Sequence, residues 1–87
     1  MEKYKIIFRK SVALDLRRIR NRDLRKILAA IQSLSVEPRP SGIERLSGQE
    51  KYRMRQGNYR IIYEINDDEI IVVVVKVGHR KDVYRRS

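Results

Sequence analysis

Apolar residues alternate with polar ones at the start of the chain and then recur at helical spacing. Alternation predicts a strand over Lys3–Arg9, with the apolar positions Tyr4, Ile6 and Phe8. Ser11 follows at a position suited to a helix N-cap. The next apolar residues recur at i, i+4 and i+7 and predict a short amphipathic helix: Val12, Leu16 and Ile19.

A second helix is predicted to begin at Asn21-Arg22-Asp23 and to run to about Val36, before Glu37-Pro38. Its apolar residues keep helical spacing: Leu24, Ile27, Leu28, Ile31 and Leu34. Two helices joined by a tight turn form a helical hairpin. We expect the hairpin to pack its apolar stripes on one face of a sheet and to turn its arginines outward.

The segment Pro40–Glu50 is rich in glycine, serine and charge, which predicts a surface loop with Ile43 and Leu46 turned toward the core. Lys51–Arg55 is predicted to be a strand, and Gly57-Asn58 is a hairpin turn signal. The hairpin continues into the next predicted strand, Tyr59–Ile65.

After a second turn at Asn66-Asp67-Asp68, Ile70–Val77 is almost continuously apolar, as expected of a central strand covered on both faces. Gly78 is expected to interrupt this strand, so that His79–Tyr84 leaves the sheet. The element order β-α-α-β-β-β predicts a single α+β domain over residues 1–87. The helical hairpin would pack against a three-stranded antiparallel meander and the N-terminal strand.

Charge is the main feature of the composition. Lysine and arginine number 21 against 11 acidic residues, giving a formal charge of +10. Such an excess favours an acidic partner, most often nucleic acid, although an acidic protein or a purely solubilising role also fits. The charged first ten residues and the short apolar runs predict a soluble, cytoplasmic protein without a signal peptide or membrane span.

The residue types exclude several kinds of site. One histidine and no cysteine do not make a zinc site of the usual kind, and no cofactor motif is present. Asp67, Asp68 and Glu69 are most simply turn formers, and no glycine-rich phosphate loop occurs. Ser11, Ser41 and Ser47 lack any recognisable spacing to a base.

What remains is a set of arginines with phenols and one imidazole. The residues expected to converge if the last three strands pair are Arg53, Arg55, Arg60, Arg80 and Tyr84. Guanidinium groups match phosphate oxygens and stabilise the charge of a pentavalent transition state. With an RNA substrate, the 2′-hydroxyl is itself a nucleophile, so the protein needs only a base, an acid and positive charge.

Two residues compete for the role of base. Tyr84 qualifies if neighbouring arginines lower its pKa, and His79 has the more suitable ordinary pKa. Further cations are candidates for binding a polyanion along the outer surface: Arg17, Arg18, Arg20, Arg22, Lys51 and Lys81.

The stretches LSG, YRMRQGNYRIIYEI and VVKVGHRKDVY resemble the RelE toxins of the RelE/ParE superfamily, as does the helical segment SVALDLRRI. The resemblance covers nearly the whole chain and is most specific in VGHRKDVY. It implies a small sheet with an N-terminal helical hairpin. It also implies a toxin that enters the ribosomal A site and cuts messenger RNA, leaving a 2′,3′-cyclic phosphate.

The resemblance also assigns roles by position. Arg53 and Arg55 fall where RelE toxins carry basic side chains, often lysines, at the scissile phosphate. Arg60 falls on the arginine that stabilises the transition state, and Arg80 on the one assigned to protonating the leaving oxygen. Tyr84 falls on the proposed general base. Arginine in place of lysine keeps the charge but offers no realistic proton donor or acceptor.

A cognate RelB-like antitoxin is the implied partner, in a complex that commonly represses its own operon. Two other functions remain open. One is a ParE-like inhibitor of DNA gyrase, a branch that typically lacks the full arginine and tyrosine set. The other is a non-catalytic module that binds an antitoxin or nucleic acid.

Overall fold

The computed structural model describes residues 3–46 and 50–81, which form two helices and a five-stranded sheet. The elements in chain order are β1 (Lys5–Phe8), α1 (Lys10–Arg17), α2 (Asn21–Ser33), β2 (Glu44–Leu46), β3 (Lys51–Gln56), β4 (Tyr59–Asn66) and β5 (Ile71–His79). Across the sheet the order is β1-β5-β4-β3-β2. This is the predicted α+β fold, with the antiparallel meander β3-β4-β5 confirmed.

The N-terminal strand makes the sheet mixed. β1 pairs in parallel with β5, and the pairing is extended by hydrogen bonds from Lys5 N to Ile70 O (3.0 Å) and from Arg9 N to Val74 O (3.1 Å). The second bond keeps the backbone extended through Arg9, which serves as the N-cap residue of α1. The prediction of Ser11 as N-cap was therefore wrong, because the helix begins at Lys10.

The helical hairpin covers one face of the sheet, as predicted. Its buried residues form one core with the inward side chains of the strands: Val12, Ile19, Ile27, Ile31 and Leu34. Leu28, expected on the same stripe, is instead 41% exposed. α2 ends at Ser33, short of Val36, where the hydroxyls of Ser33 and Ser35 bond the carbonyls of Ala30 and Gln32. Such local bonds compete with continuation of a helix.

Three predictions for the second half of the chain need correction. The Pro40–Glu50 segment contains the short strand β2, which pairs with β3. β5 is not covered on both faces, because its residues alternate between buried and half-buried and helices cover only one side. Gly78 does not end this strand, since β5 continues through it to His79. The almost continuous apolar sequence of β5 therefore gave no sign that one face of the strand is buried and the other only half-buried.

The irregular feature of β5 is a bulge. The register against β4 shifts between Ile62, which faces Lys76, and Tyr63, which faces Val74, so that Val75 is the extra residue. A bulge bends the strand and increases its twist. Beyond this point α1 replaces β1 beside β5, and Asp15 Oδ2 accepts a hydrogen bond from Val77 N at 3.2 Å.

Neither of the two described helices has the length and apolar character needed to cross a membrane.

Candidate active site

Strand register brings three predicted site residues onto the open face of the sheet. Tyr52 and Met54 point into the core beneath the helices, so Arg53 and Arg55 lie on the opposite face. Arg60 on β4 is the direct cross-strand partner of Arg55. The three arginines line a cleft of about 40 Å³ together with Gly42 and Glu44. We call this the arginine cleft.

Arg60 and Arg55 differ in how firmly their side chains are fixed in the arginine cleft. Arg60 is only 8% exposed, and its Nη1 donates to the carbonyls of Tyr59 (2.9 Å) and Gly57 (3.2 Å) in the β3–β4 turn. The guanidinium has three further N–H donors at Nε and Nη2. Arg60 is thus a fixed cation, whereas Arg55 opposite it is exposed.

Glu44 is a site residue that the sequence analysis did not identify. Its Oε1 accepts a 2.6 Å hydrogen bond from Arg53 Nη2, and the hydrogen bond and charge of Arg53 lower the pKa of this carboxyl. Glu44 faces Arg53 directly across the β2–β3 pairing. No local signal points to this contact, because it depends on a three-residue strand that forms only by pairing with β3.

The end of β5 brings Arg80 close to the same turn. Arg80 N donates to Asn58 O at 2.8 Å, while Arg60 binds the carbonyl of the preceding residue, Gly57. The β3–β4 turn therefore anchors both arginines. Tyr84 lies outside the described residues, so its predicted place in the site stays a prediction.

His79 is not brought to the arginine cleft. It is the cross-strand partner of Tyr59, which packs against the core on the helix side of the sheet. The two rings meet edge to face with centroids 5.8 Å apart. The imidazole Nδ1 accepts a 3.3 Å hydrogen bond from Lys81 N. Strand alternation thus separates His79 from Arg60.

The other predicted nucleic-acid contacts divide into two groups. Lys51 continues the row of Arg53 and Arg55 along β3, where it faces Glu64. Lys81 is exposed just beyond β5. The remaining four are exposed around the junction of α1 and α2 and do not line the arginine cleft: Arg17, Arg18, Arg20 and Arg22.

A second polar cluster lies at the opposite end of the sheet, centred on Arg39. Its Nη2 contacts Asp67 Oδ2 at 2.8 Å and Glu50 Oε2 at 3.2 Å, and its Nε donates to the Tyr52 hydroxyl at 3.1 Å. Tyr4 also donates to Asp67. These contacts tie the segment after α2 to the β4–β5 turn, so we interpret the cluster as structural. Within residues 3–46 and 50–81, no three histidine, aspartate or glutamate side chains gather as a metal site requires.

Comparison with known proteins tests the resemblance seen in the sequence. Residues 6–84 match the family model described as ParE toxin of type II toxin-antitoxin system, parDE. A putative toxin RelE1 of Methanocaldococcus jannaschii is 30% identical over 87 residues, spanning 95% of this chain and 97% of that protein.

Two solved complexes contain chains with the same fold. One is the archaeal RelE-RelB complex from Pyrococcus horikoshii OT3, with TM-score 0.78 and 26% identity, covering 90% of this chain and 96% of that one. The other is the toxin-antitoxin complex RelBE2 from Mycobacterium tuberculosis, with TM-score 0.76 and 30% identity, covering 90% and 99%. The chain therefore belongs to the RelE/ParE superfamily of type II toxin–antitoxin systems, as a RelE-type toxin.

Proposed function

We propose that this protein is a ribosome-dependent endoribonuclease that cuts messenger RNA in the ribosomal A site and so inhibits translation. The observation that carries the proposal is the arginine cleft, in which Arg53, Arg55 and Arg60 come together on the open face of the sheet. Membership of the RelE-type toxins supports the same activity. We place the protein in the cytoplasm, where its substrate is.

The chemistry is a transesterification within the RNA. The 2′-oxygen attacks the adjacent phosphorus and the bond from phosphorus to the 5′-oxygen breaks, leaving a 2′,3′-cyclic phosphate and a 5′-hydroxyl. A base takes the proton of the 2′-hydroxyl, and the leaving oxygen gains one. The arginines stabilise the added negative charge on the phosphate oxygens, which is where fixed cations lower the barrier.

The residues divide these tasks. Arg60, held by two carbonyls, is preorganised to stabilise the transition state. Arg53 and Arg55 bind the scissile phosphate from the neighbouring strand. Arg80 protonates the leaving 5′-oxygen, which is the role that the resemblance to RelE toxins assigns to it. Tyr84 is favoured over His79 as the base, because His79 lies beside Tyr59 on the helix side of the sheet.

The test is primer extension on a message held in ribosomes with an empty A site, with naked message as control. We expect a single cut in the A-site codon by the wild-type protein. Tyr84→Phe should slow cleavage about 10²- to 10⁴-fold. Tyr59→Phe is the matched control, since it removes a phenol oxygen on the opposite face, and should cut normally. Equal loss in His79→Ala and Tyr84→Phe would move the base to His79.

The partner we propose is a RelB-like antitoxin, because several solved relatives are complexes of RelE with RelB. Co-expression of a candidate antitoxin from the same operon should restore growth and yield a stable complex. Arg55→Ala should abolish toxicity while this complex still forms. Loss of both together would indicate a damaged fold.

A second candidate is inhibition of DNA gyrase, which the match to the ParE family model favours. Two parallel assays distinguish RNA cleavage from gyrase inhibition. Purified protein is assayed for A-site cleavage and for gyrase-driven supercoiling of a relaxed plasmid. Suppressed supercoiling without any RNA cut would replace the nuclease proposal and reduce the arginine cleft to a binding surface.

A further inference from the structure

The arginine cleft contains a carboxylate of the protein itself. Glu44 lies opposite Arg53 across the β2–β3 pairing and contacts its guanidinium at 2.6 Å. Carboxylate and phosphate oxygens bind the guanidinium fork in the same way. The Glu44 carboxylate therefore takes hydrogen-bonding capacity that a phosphate in the cleft also needs.

The space left in the cleft is small. Its volume of about 40 Å³ has room for roughly two or three water molecules. A phosphate that binds Arg53 therefore meets the Glu44 carboxylate at the same guanidinium. Because the two anions repel each other at such close range, phosphate binding favours departure of the carboxylate.

The structure also indicates which partner of the ion pair moves. The Arg53 side chain is 19% exposed, whereas that of Glu44 is 64% exposed. β2 has three residues and follows Gly42, whose φ of +86° belongs to the left-handed region. A short edge strand with one neighbour is among the least stable parts of a fold. Glu44 is thus free to turn into solvent while Arg53 stays in place.

We propose that Glu44 is an intramolecular competitor for the anion that the arginine cleft binds. In the resting protein its carboxylate fills the place of phosphate oxygens. A phosphodiester displaces it, and the displacement costs affinity for any single phosphate. A chain with several phosphates recovers the loss through contacts outside the cleft, so it still occupies the site at concentrations where a single phosphate does not. This inference rests on the proposed function only in naming that polyanion as RNA.

The experiment compares Glu44→Gln with the wild type in binding inorganic phosphate at constant ionic strength. Arginine Nε–H resonances of Arg53, Arg55 and Arg60 are followed by NMR as phosphate is added. Glu69→Gln is the matched control, because it removes the same charge from an exposed turn at the far end of β4. We expect Glu44→Gln to bind phosphate roughly threefold more tightly, as an exposed ion pair allows. Glu69→Gln should equal the wild type.

Three results would overturn the proposal. Equal affinity in Glu44→Gln and Glu69→Gln would mean that Glu44 does not compete. Weaker binding in Glu44→Gln would make Glu44 a residue that positions Arg53 for the anion. No phosphate binding at the three arginines in any variant would mean that the cleft is not an anion site.

Failure of the proposed function gives a different result. If phosphate affinity rises in Glu44→Gln but the wild-type protein cuts no message on ribosomes, the competitor role stands and the nuclease proposal falls. If the message is cut and Glu44→Gln slows the chemical step with phosphate affinity unchanged, Glu44 acts in proton transfer instead.

Discussion

Arg55 and Arg60 show how two identical residues on adjacent strands come to differ in role. They are direct cross-strand partners, yet Arg60 is 8% exposed and bonded to two backbone carbonyls whereas Arg55 is exposed. Like charges placed opposite each other destabilise a sheet. The carbonyls of Gly57 and Tyr59 offset that repulsion for Arg60. One arginine thus holds the turn, and the other is available to a ligand.

This difference predicts that substitutions of the two arginines change stability by different amounts. Arg60→Ala removes two hydrogen bonds to the carbonyls of Gly57 and Tyr59 and should lower the free energy of unfolding by about 2 kcal/mol. Arg55→Ala removes a like-charge neighbour and should change it by less than about 0.5 kcal/mol. Urea unfolding followed by circular dichroism measures both. A loss in Arg55→Ala as large as that in Arg60→Ala would show that the two arginines do not differ in their contribution to stability, and no loss in Arg60→Ala would show that the turn does not depend on Arg60.

At the scale of elements, β5 is the strand that connects the core to the site. Its first half is paired with β1 as far as Val74, and its second half carries Gly78 and His79 toward Arg80. Where β1 ends, α1 lies beside β5, and Asp15 takes the place of a strand neighbour. Asp15 accepts from Val77 N and contacts Lys76 Nζ at 3.6 Å. The carboxylate of Asp15 therefore accepts the backbone hydrogen bond that a neighbouring strand would otherwise accept from β5, just before the site.

Asp15→Ala should leave Val77 N without its acceptor and lower the free energy of unfolding by about 2 kcal/mol. Asp15→Asn should cost less, because the amide oxygen still accepts the bond although the charge facing Lys76 is lost. Amide hydrogen exchange at Val77 is the specific readout. Unchanged protection of Val77 in Asp15→Ala would show that α1 covers this edge without the help of Asp15.

At the scale of the whole molecule, the polar interactions separate into two ends of the sheet. The arginine cleft lies near the β3–β4 turn, and the Arg39 cluster lies near the β4–β5 turn. Hydrogen bonds from Arg39 lower the pKa of Asp67, and those from Tyr52 and Arg39 lower the pKa of Glu50. The acids at one end are engaged within the fold, while Arg55 at the other end is exposed to solvent.

These pKa shifts predict a loss of stability in acid. A carboxyl whose pKa is lower in the folded than in the unfolded protein stabilises the fold fully above its unfolded pKa, about 4. That contribution disappears as the pH falls through the folded value. We therefore expect the urea midpoint to be level above about pH 5 and to fall below about pH 4.

The Arg39→Gln variant tests whether the contacts of Arg39 are the source of the stability lost in acid. Without Arg39 the pKa values of Asp67 and Glu50 move toward their unfolded values, so the midpoint should be lower at neutral pH and depend less on pH between about 3 and 5. Arg22→Gln, at an exposed site on α2, is the control and should keep the wild-type profile. If the urea midpoints of Arg39→Gln and Arg22→Gln fall with pH in the same way, the loss of stability in acid comes from groups other than Asp67 and Glu50.

The sequence by itself determined the order of all elements except β2, the helical hairpin and the family. Hydrophobic spacing in α1 and α2 is a local property, and so is the glycine turn between β3 and β4, where Gly57 has a φ of +59°. Alternation along β3 also placed Arg53 and Arg55 on one face, because side chains in a strand alternate whatever the strand pairs with.

Only the tertiary structure decided which residues meet. β2 has no strand signal of its own and exists because it pairs with β3, and that pairing alone brings Glu44 to Arg53. The apolar run of β5 concealed its two different faces, so the separation of His79 from the arginines required the register against Tyr59. Contacts between residues far apart in the chain depend on register, and a one-residue change of register exchanges the two faces of a strand.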